Sequence, residues 1–209
     1  MNERAFVRMN FFLALLLALT GCAQVALEQM NDPSRDAWQQ PKAVIDALAI
    51  TPGERVADLG AGGGYFTFLL AKAVGPHGKI YAVDVEDTAL RMIDTQAKAR
   101  EADNVELVLA TPNDPRLPPS GVDLIFTCNT YHHLHDRIAY FTSLAPHLRP
   151  EGRIAILDYK EGGWLGSLFG HATSKETVRR EMESAGYRLV NDIDFLAKQH
   201  FQVFRPARS

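Results

Sequence analysis

The apolar run Arg55-Val56-Ala57 passes directly into Asp58-Leu59-Gly60-Ala61-Gly62-Gly63-Gly64, and this junction constrains the fold more than any other stretch of the chain. It reads as a buried strand emptying into a glycine-rich turn and then a helix. Glycines at alternate positions let the backbone turn sharply and let a ligand approach where a Cβ would otherwise stand. A helix that follows such a turn aims unpaired N–H groups at the ligand. Strand, glycine turn and helix in this order open an α/β unit that cradles a nucleotide-like cofactor.

The remaining periodicity continues the alternation. A helix is expected over 36–50, with Val44, Ile45, Leu48 and Ile50 apolar and Thr51-Pro52-Gly53 ending it. Strands are expected over 55–59, 79–84, 105–110, 122–127 and 153–159. Helices are expected over 65–74, stopped by Gly75-Pro76, and over 88–100 and 136–148, the last with Pro146 near its end. Residues 111–120, rich in Pro, Asn and Asp, must be a loop. After 160–173, with its Trp164-Leu165-Gly166-Ser167-Leu168-Phe169 core, Ser174 with Glu176 two residues on opens a helix to Ala185, before Gly186. A hairpin over 187–195 and 200–204 closes the chain. At 209 residues and 46% hydrophobic content, with no internal repeat, this fits one domain. A net charge of −3 and no basic cluster longer than Arg179-Arg180 argue against a nucleic-acid partner.

The spacing of the glycines selects the cofactor. A dinucleotide fingerprint beginning at Gly60 needs glycine at position 65, where Tyr65 stands. The pattern acidic-x-G-x-G-x-G, starting at Asp58, fits without exception and resembles motif I of the class I S-adenosylmethionine-dependent methyltransferases. That family places an acidic residue at the end of the next strand, and Gly78-Lys79-Ile80-Tyr81-Ala82-Val83-Asp84 supplies it. Gly121-Val122-Asp123-Leu124-Ile125-Phe126 looks like the family's fourth strand, and the stretch from Leu148-Arg149-Pro150 to Ile156-Leu157-Asp158 resembles its entry into the fifth. The resemblance covers residues 35–205. It implies an α/β, Rossmann-like three-layer αβα sandwich. The sheet would be seven-stranded and mostly parallel, in order 3-2-1-4-5-7-6 with the last strand antiparallel, and the cofactor S-adenosyl-L-methionine.

The resemblance also distributes roles. Gly60, Ala61, Gly62 and Gly64 would bring the backbone against the methionine part of the cofactor, and Asp58 would orient its amino group or simply cap the turn. Asp84 would accept the ribose hydroxyls, with Val85 beside it and Asn129 after the fourth strand completing the cofactor-binding set. The family often places an acidic residue shortly after strand three, where this chain has Ala110-Thr111. Asn113 or Asp114 would reach the adenine amino group, or both are ordinary turn formers between Pro112 and Pro115.

Chemistry is expected at Asn129-Thr130-Tyr131-His132-His133-Leu134-His135-Asp136. Adjacent histidines project differently and no C-x-x-C accompanies them, so no metal is assigned. Small-molecule methyltransferases frequently carry His-His-Leu here, which makes His132 and His133 the catalytic candidates. A histidine titrating near neutrality can deprotonate a hydroxyl or carbon acid, and the alternative is that both only shape the pocket and cap a helix. The segment lacks the Asn/Asp-Pro-Pro-aromatic run of enzymes that methylate amino groups in nucleic acids and glutamine, which favours a small molecule. Tyr65, Trp38, Tyr131 and Trp164 either form an apolar lid over the acceptor or belong to the core.

The N-terminus carries a separate signal. Arg4 and Arg8 precede an apolar run from Met9 to Leu19, too short to span a bilayer, and Leu19-Thr20-Gly21-Cys22 resembles a bacterial lipobox. Residues 1–21 thus read as a lipoprotein-type signal peptide, 22–34 as a tether and 35–209 as the methyltransferase domain. Lipidated Cys22 would anchor the chain to the cell envelope, whereas translation from Met30 would make it cytoplasmic. The functional expectation is methyl transfer to a small-molecule or lipid-like acceptor. The alternative is a catalytically inactive nucleoside-binding envelope lipoprotein. A nicotinamide-dependent oxidoreductase is disfavoured by Tyr65.

Overall fold

The computed structural model describes residues 31–119, 121–160 and 172–207. The signal-peptide and lipobox residues, the start of the tether and the Trp164 to Phe169 segment lie outside the described residues. Seven strands form one sheet: β1 (Arg55–Leu59), β2 (Lys79–Asp84), β3 (Val105–Leu109), β4 (Val122–Cys128), β5 (Leu148–Tyr159), β6 (Tyr187–Ile193) and β7 (Gln199–Pro206). Their order is β3-β2-β1-β4-β5-β7-β6, as the resemblance implied. β1 pairs in parallel with β2 and β4, β2 with β3, and β4 with β5, while β7 runs antiparallel to both β5 and β6.

Helices cover both faces: α1 (Asp36–Gln39), α2 (Pro41–Ala47), α3 (Thr67–Val74), α4 (Asp87–Ala99), α5 (Arg137–Leu144) and α6 (Lys175–Ser184). On one face Ile125, Ile154, Ile156 and Phe204 pack with Phe141 and Leu144 of α5 and Val178 and Met182 of α6. On the other, Leu124, Phe126, Leu157 and Phe201 pack with Val44 and Leu48 and with Phe66 and Leu70. Each such side chain contributes about 1.5–3 kcal/mol through burial. A smaller cluster seats Leu90 and Ile93 of α4 on Ala82 of β2.

Two helix boundaries differ from expectation, each at a proline. The expected helix over 36–50 is broken into α1 and α2, because Gln40 takes a left-handed φ of 47° immediately before Pro41. Pro41 disfavours the helical conformation of the residue before it and has no N–H to continue the ladder. The helix expected over 136–148 stops at Leu144 and passes into a 3-10 turn, Ala145–His147, containing Pro146. The N-terminus of α6 is capped as expected, with Ser174 Oγ accepting from the Thr177 amide at 3.2 Å.

Candidate active site

The carboxyl ends of β1, β2, β4 and β5 and the start of β7 meet at one edge of the sheet, on either side of the point where strand order reverses. The turn after β1 is built on left-handed glycines, with φ of 75° at Gly60, 52° at Gly62 and 86° at Gly64, conformations a side chain rarely adopts. A Cβ on Gly60 would stand 2.8 Å from Thr130 Cβ and closer still to its Oγ1, so this glycine lets the turns after β1 and β4 touch. Much of the turn is self-satisfied. The amides of Gly60 and Ala61 both donate to the Val83 carbonyl, at 2.9 and 3.0 Å, and that of Gly64 to the Ala61 carbonyl at 2.9 Å. The Gly63 carbonyl accepts from Asn31 and Gln96 side chains at 2.6 and 2.9 Å.

Two carboxylates flank this turn. Asp58, 3% exposed, accepts the Thr67 hydroxyl at 2.6 Å, and burial pushes its carboxyl up to about 7. Asp84, at the end of β2, takes the Gly62 amide on Oδ2 at 2.8 Å and the Glu86 amide on Oδ1 at 3.0 Å. An ionised carboxylate has about four lone-pair positions, so each oxygen keeps capacity for one further donor, the number a ribose diol supplies. Beside it Val85 and Leu109 are 50% and 44% exposed, an apolar pair left open at the ends of β2 and β3. This donor and acceptor set fits an adenosine: hydroxyls on Asp84 and an apolar ring against Val85. Asn113 and Asp114 are exposed, and Asp114 Oδ1 accepts the Arg116 amide at 2.8 Å as a turn former does.

After β4 the chain forms a 3-10 turn, Tyr131–His133. Its N-terminal approach holds Asn129 in the left-handed region at φ 55°, with Oδ1 accepting from Gln199 Nε2 at 2.7 Å. His132 Nδ1 lies 2.7 Å from Asp158 Oδ1, and its amide donates to Asp158 Oδ2 at 3.1 Å. His133 is exposed and its ring centroid lies 4.0 Å from that of His132. Across the same edge, Trp38 stacks on Tyr159 with centroids 6.2 Å apart, and Lys198 Nζ sits 5.0 Å from the Trp38 ring centroid.

Tyr131 is a correction to the expected lid. Its side chain is wholly buried, its ring 5.2 Å from Phe141 and its hydroxyl 2.6 Å from Glu181 Oε2, so it belongs to the core. Tyr65 is half-buried and its hydroxyl donates to Asp36 Oδ1, which ties the segment before β1 to the glycine turn. Sequence reasoning missed Asp158, Gln199 and the buried Gln39, whose Nε2 lies 3.0 Å from Cys128 Sγ. A signal existed for the first two: a carboxylate closing the apolar run Ile154 to Leu157, and consecutive polar residues Gln199-His200 opening the last strand.

Among the described residues no group of three or more His, Cys, Asp or Glu side chains is arranged to hold a metal, and no helix is long and apolar enough to cross a membrane. A recess lined by Leu48, Glu54, Arg153 and Arg205 opens at the opposite, amino end of the sheet, where the Arg153–Glu54 ion pair occupies it. It is remote from the carboxyl-edge residues and adds nothing to them.

Comparison with known proteins agrees with this geometry. The methyltransferase domain family matches residues 50–199. The structure of an S-adenosylmethionine-dependent methyltransferase from Aquifex aeolicus superposes with a TM-score of 0.79 at 26% identity, covering 86% of this chain and 96% of that one. An arsenite methyltransferase of Halobacterium salinarum is 31% identical over 118 residues, 56% of this chain and 29% of the relative. A nocamycin O-methyltransferase of Saccharothrix syringae is 28% identical over 115 residues, 55% and 41% respectively. The match to this chain thus spans less than half the length of these two curated relatives, whose named acceptors differ. On the family match and the shared strand order, this chain belongs to the methyltransferase domain family, the S-adenosylmethionine-dependent class.

Proposed function

We propose that this protein transfers a methyl group from S-adenosylmethionine to a small-molecule or lipid-like acceptor. The cofactor is S-adenosylmethionine, which supplies a methyl group already activated on a sulfonium, so the protein's task is orientation and exclusion of water. The observation that carries the reading is Asp84, which holds the glycine turn through Gly62 and keeps one acceptor position on each oxygen beside exposed Val85. In this reading Asp84 binds the ribose and Val85 lies along the adenine. Gly60, Ala61, Gly62 and Gly64 shape the floor under the methionine chain, with Asp58 as its anionic partner and Asn129 at its far end. Asn113 and Asp114 lie in the loop past β3, on the adenine side. His132 is the proton acceptor at the acceptor end, with His133 packed against its ring.

The intact acidic pair and glycines favour an enzyme over a nucleoside-binding protein that has lost catalysis. Titration calorimetry of the full chain with S-adenosylmethionine, its demethylated product and NAD tests this. Micromolar binding of both methionine nucleosides and none of NAD is expected, and absence of binding by either nucleoside overturns the reading. The leader is read as an export signal with Cys22 lipidated at the envelope surface. Incorporation of labelled palmitate that disappears in Cys22→Ser checks that assignment, and no incorporation in the wild type supports translation from Met30.

A further inference from the structure

The end of β5 buries a carboxylate completely. Asp158 is 0% exposed and three donors converge on it: the His132 amide at 3.1 Å, the Tyr159 amide at 2.8 Å and His132 Nδ1 at 2.7 Å. The His132 amide alone would fasten the turn Tyr131–His133 to the strand, and the Tyr159 amide belongs to β5 itself. The third is an imidazole, and an ionised carboxylate only accepts, so Nδ1 is the protonated nitrogen and the lone pair is on Nε2. A carboxylate that sets the tautomer of a histidine base is a recurrent arrangement for proton abstraction. His200, opposite Asp158 in the β5–β7 register, donates Nε2–H to the Thr173 carbonyl at 2.9 Å and is held toward its neutral form by burial. Asp158, Tyr159 and His133 are among the groups facing His132, with His200 behind the carboxylate.

The surroundings select the acceptor. Beyond His132 stand the flat faces of Tyr159, its ring centroid 6.1 Å away, and of Trp38 stacked on it. Lys198 lies over Trp38, and the Arg35 guanidinium, seated over Tyr65, is near enough to lower the Tyr159 pKa against the rise that burial causes. Positive charge here disfavours an ammonium acceptor and favours one that gains negative charge as it reacts. We infer that Asp158 is a positioning residue that fixes His132 as proton acceptor for a planar hydroxyl acceptor, phenolic or enolic, lying against Trp38 and Tyr159. The inference rests on the methyltransferase reading. In the step it implies, the acceptor oxygen forms the bond to the methyl carbon as its O–H bond breaks. The proton passes to His132 Nε2, and the electron pair of the broken S–CH3 bond stays on sulfur. Thiolates and arsenite present a lone pair without such a base.

Two measurements on the full chain bound to S-adenosylhomocysteine test it. In 15N spectra of histidine-labelled protein, neutral His132, assigned by its loss in His132→Gln, is expected as the Nδ1–H tautomer. Asp158→Asn should convert it to Nε2–H while leaving S-adenosylhomocysteine affinity within about threefold. An Nε2–H tautomer in the wild type, or no change in the variant, overturns the assignment, and the wild-type spectrum decides alone if the variant does not fold. The second readout is the absorbance of bound 4-nitrophenol. Its ionised fraction should exceed that in solution at the same pH in the wild type, and fall in both His132→Gln and Asp158→Asn. Equal ionisation in all three, or no binding of 4-nitrophenol, overturns the hydroxyl acceptor. Failure of S-adenosylhomocysteine to bind would instead overturn the methyltransferase reading itself.

Discussion

Thr67 donates its hydroxyl to Oδ2 of Asp58 at 2.6 Å, fastening the first turn of α3 to the end of β1. Burial is the larger influence and pushes the Asp58 carboxyl up from 3.8 to about 7, with repulsion from Asp84 adding to it. The folded protein therefore holds a proton that the unfolded chain releases. Stability from this group is full below about 4 and is lost as pH rises toward about 7. A cationic ligand reverses the preference, because it binds the ionised carboxylate. S-adenosylmethionine affinity is expected to climb with pH up to about 7, by at most roughly tenfold per unit, and then level off. Calorimetry across that range checks this. Asp58→Asn should bind weakly and without the slope, and a flat wild-type profile would remove Asp58 from the site.

Gly60→Ala tests the contact between the turns after β1 and β4. The substitution meets a left-handed φ of 75° and a Cβ position 2.8 Å from Thr130 Cβ. The backbone costs about 1–2 kcal/mol and overpacking about 1–3 kcal/mol. Thr130→Ala in the same chain removes Oγ1 and Cγ2, so the double variant should recover part of the overpacking cost and none of the backbone cost. Denaturant midpoints of the two variants measure the difference, and equal midpoints would show that Thr130 is not the obstacle.

The features legible in sequence are those whose cause is local. The turn at Gly60, Gly62 and Gly64 announces itself because left-handed backbone demands glycine, and Asp84 because it ends the apolar run of its own strand. The break at Pro41 was equally local but was masked by the apolar period running through Val44 and Leu48. Asp158 and Gln199 were hidden for a different reason. Their partners are 26 and 70 residues away, so the dyad with His132 and the contact with Asn129 exist only once β4, β5 and β7 lie side by side. Tyr131 was ambiguous because a 3-10 turn sends successive side chains in different directions, sending Tyr131 to the core and leaving His133 exposed.

Asp84 has two duties that different substitutions separate. Asp84→Ala strips the acceptor from the Gly62 and Glu86 amides as well as from the ligand, so affinity and stability should both fall. Losing a charged acceptor to bound hydroxyls costs about 1.5–3 kcal/mol, roughly 10- to 150-fold in S-adenosylmethionine affinity. Asp84→Asn keeps one carbonyl oxygen, and so one of the two amide contacts, and should lose less stability than Asp84→Ala while still losing affinity. Thermal scans beside calorimetry separate the two duties. Unchanged affinity in Asp84→Ala would place the ribose elsewhere.

Glu181 of α6 supports the turn that carries His132 from beneath. It accepts the Tyr131 hydroxyl at 2.6 Å and takes Arg137 Nε and Nη2 at 2.7 and 3.0 Å. The Arg137 hydrogen bond is the main reason that the Glu181 carboxyl is held below its ordinary value, so its contribution is present at neutral pH and is lost as pH falls through that lowered value. Glu181→Ala leaves a buried hydroxyl unsatisfied, a cost of about 1–3 kcal/mol, and strands the guanidinium beside it. Arg137→Met should cost less, because Tyr131 still donates to the carboxylate. The double variant Arg137→Met, Glu181→Ala should be more stable than the sum of the single losses predicts, by at least about 0.5 kcal/mol, because the groups act as one network. Denaturant unfolding of the three variants gives the coupling, and strict additivity would show that Arg137 and Glu181 stabilise the turn independently.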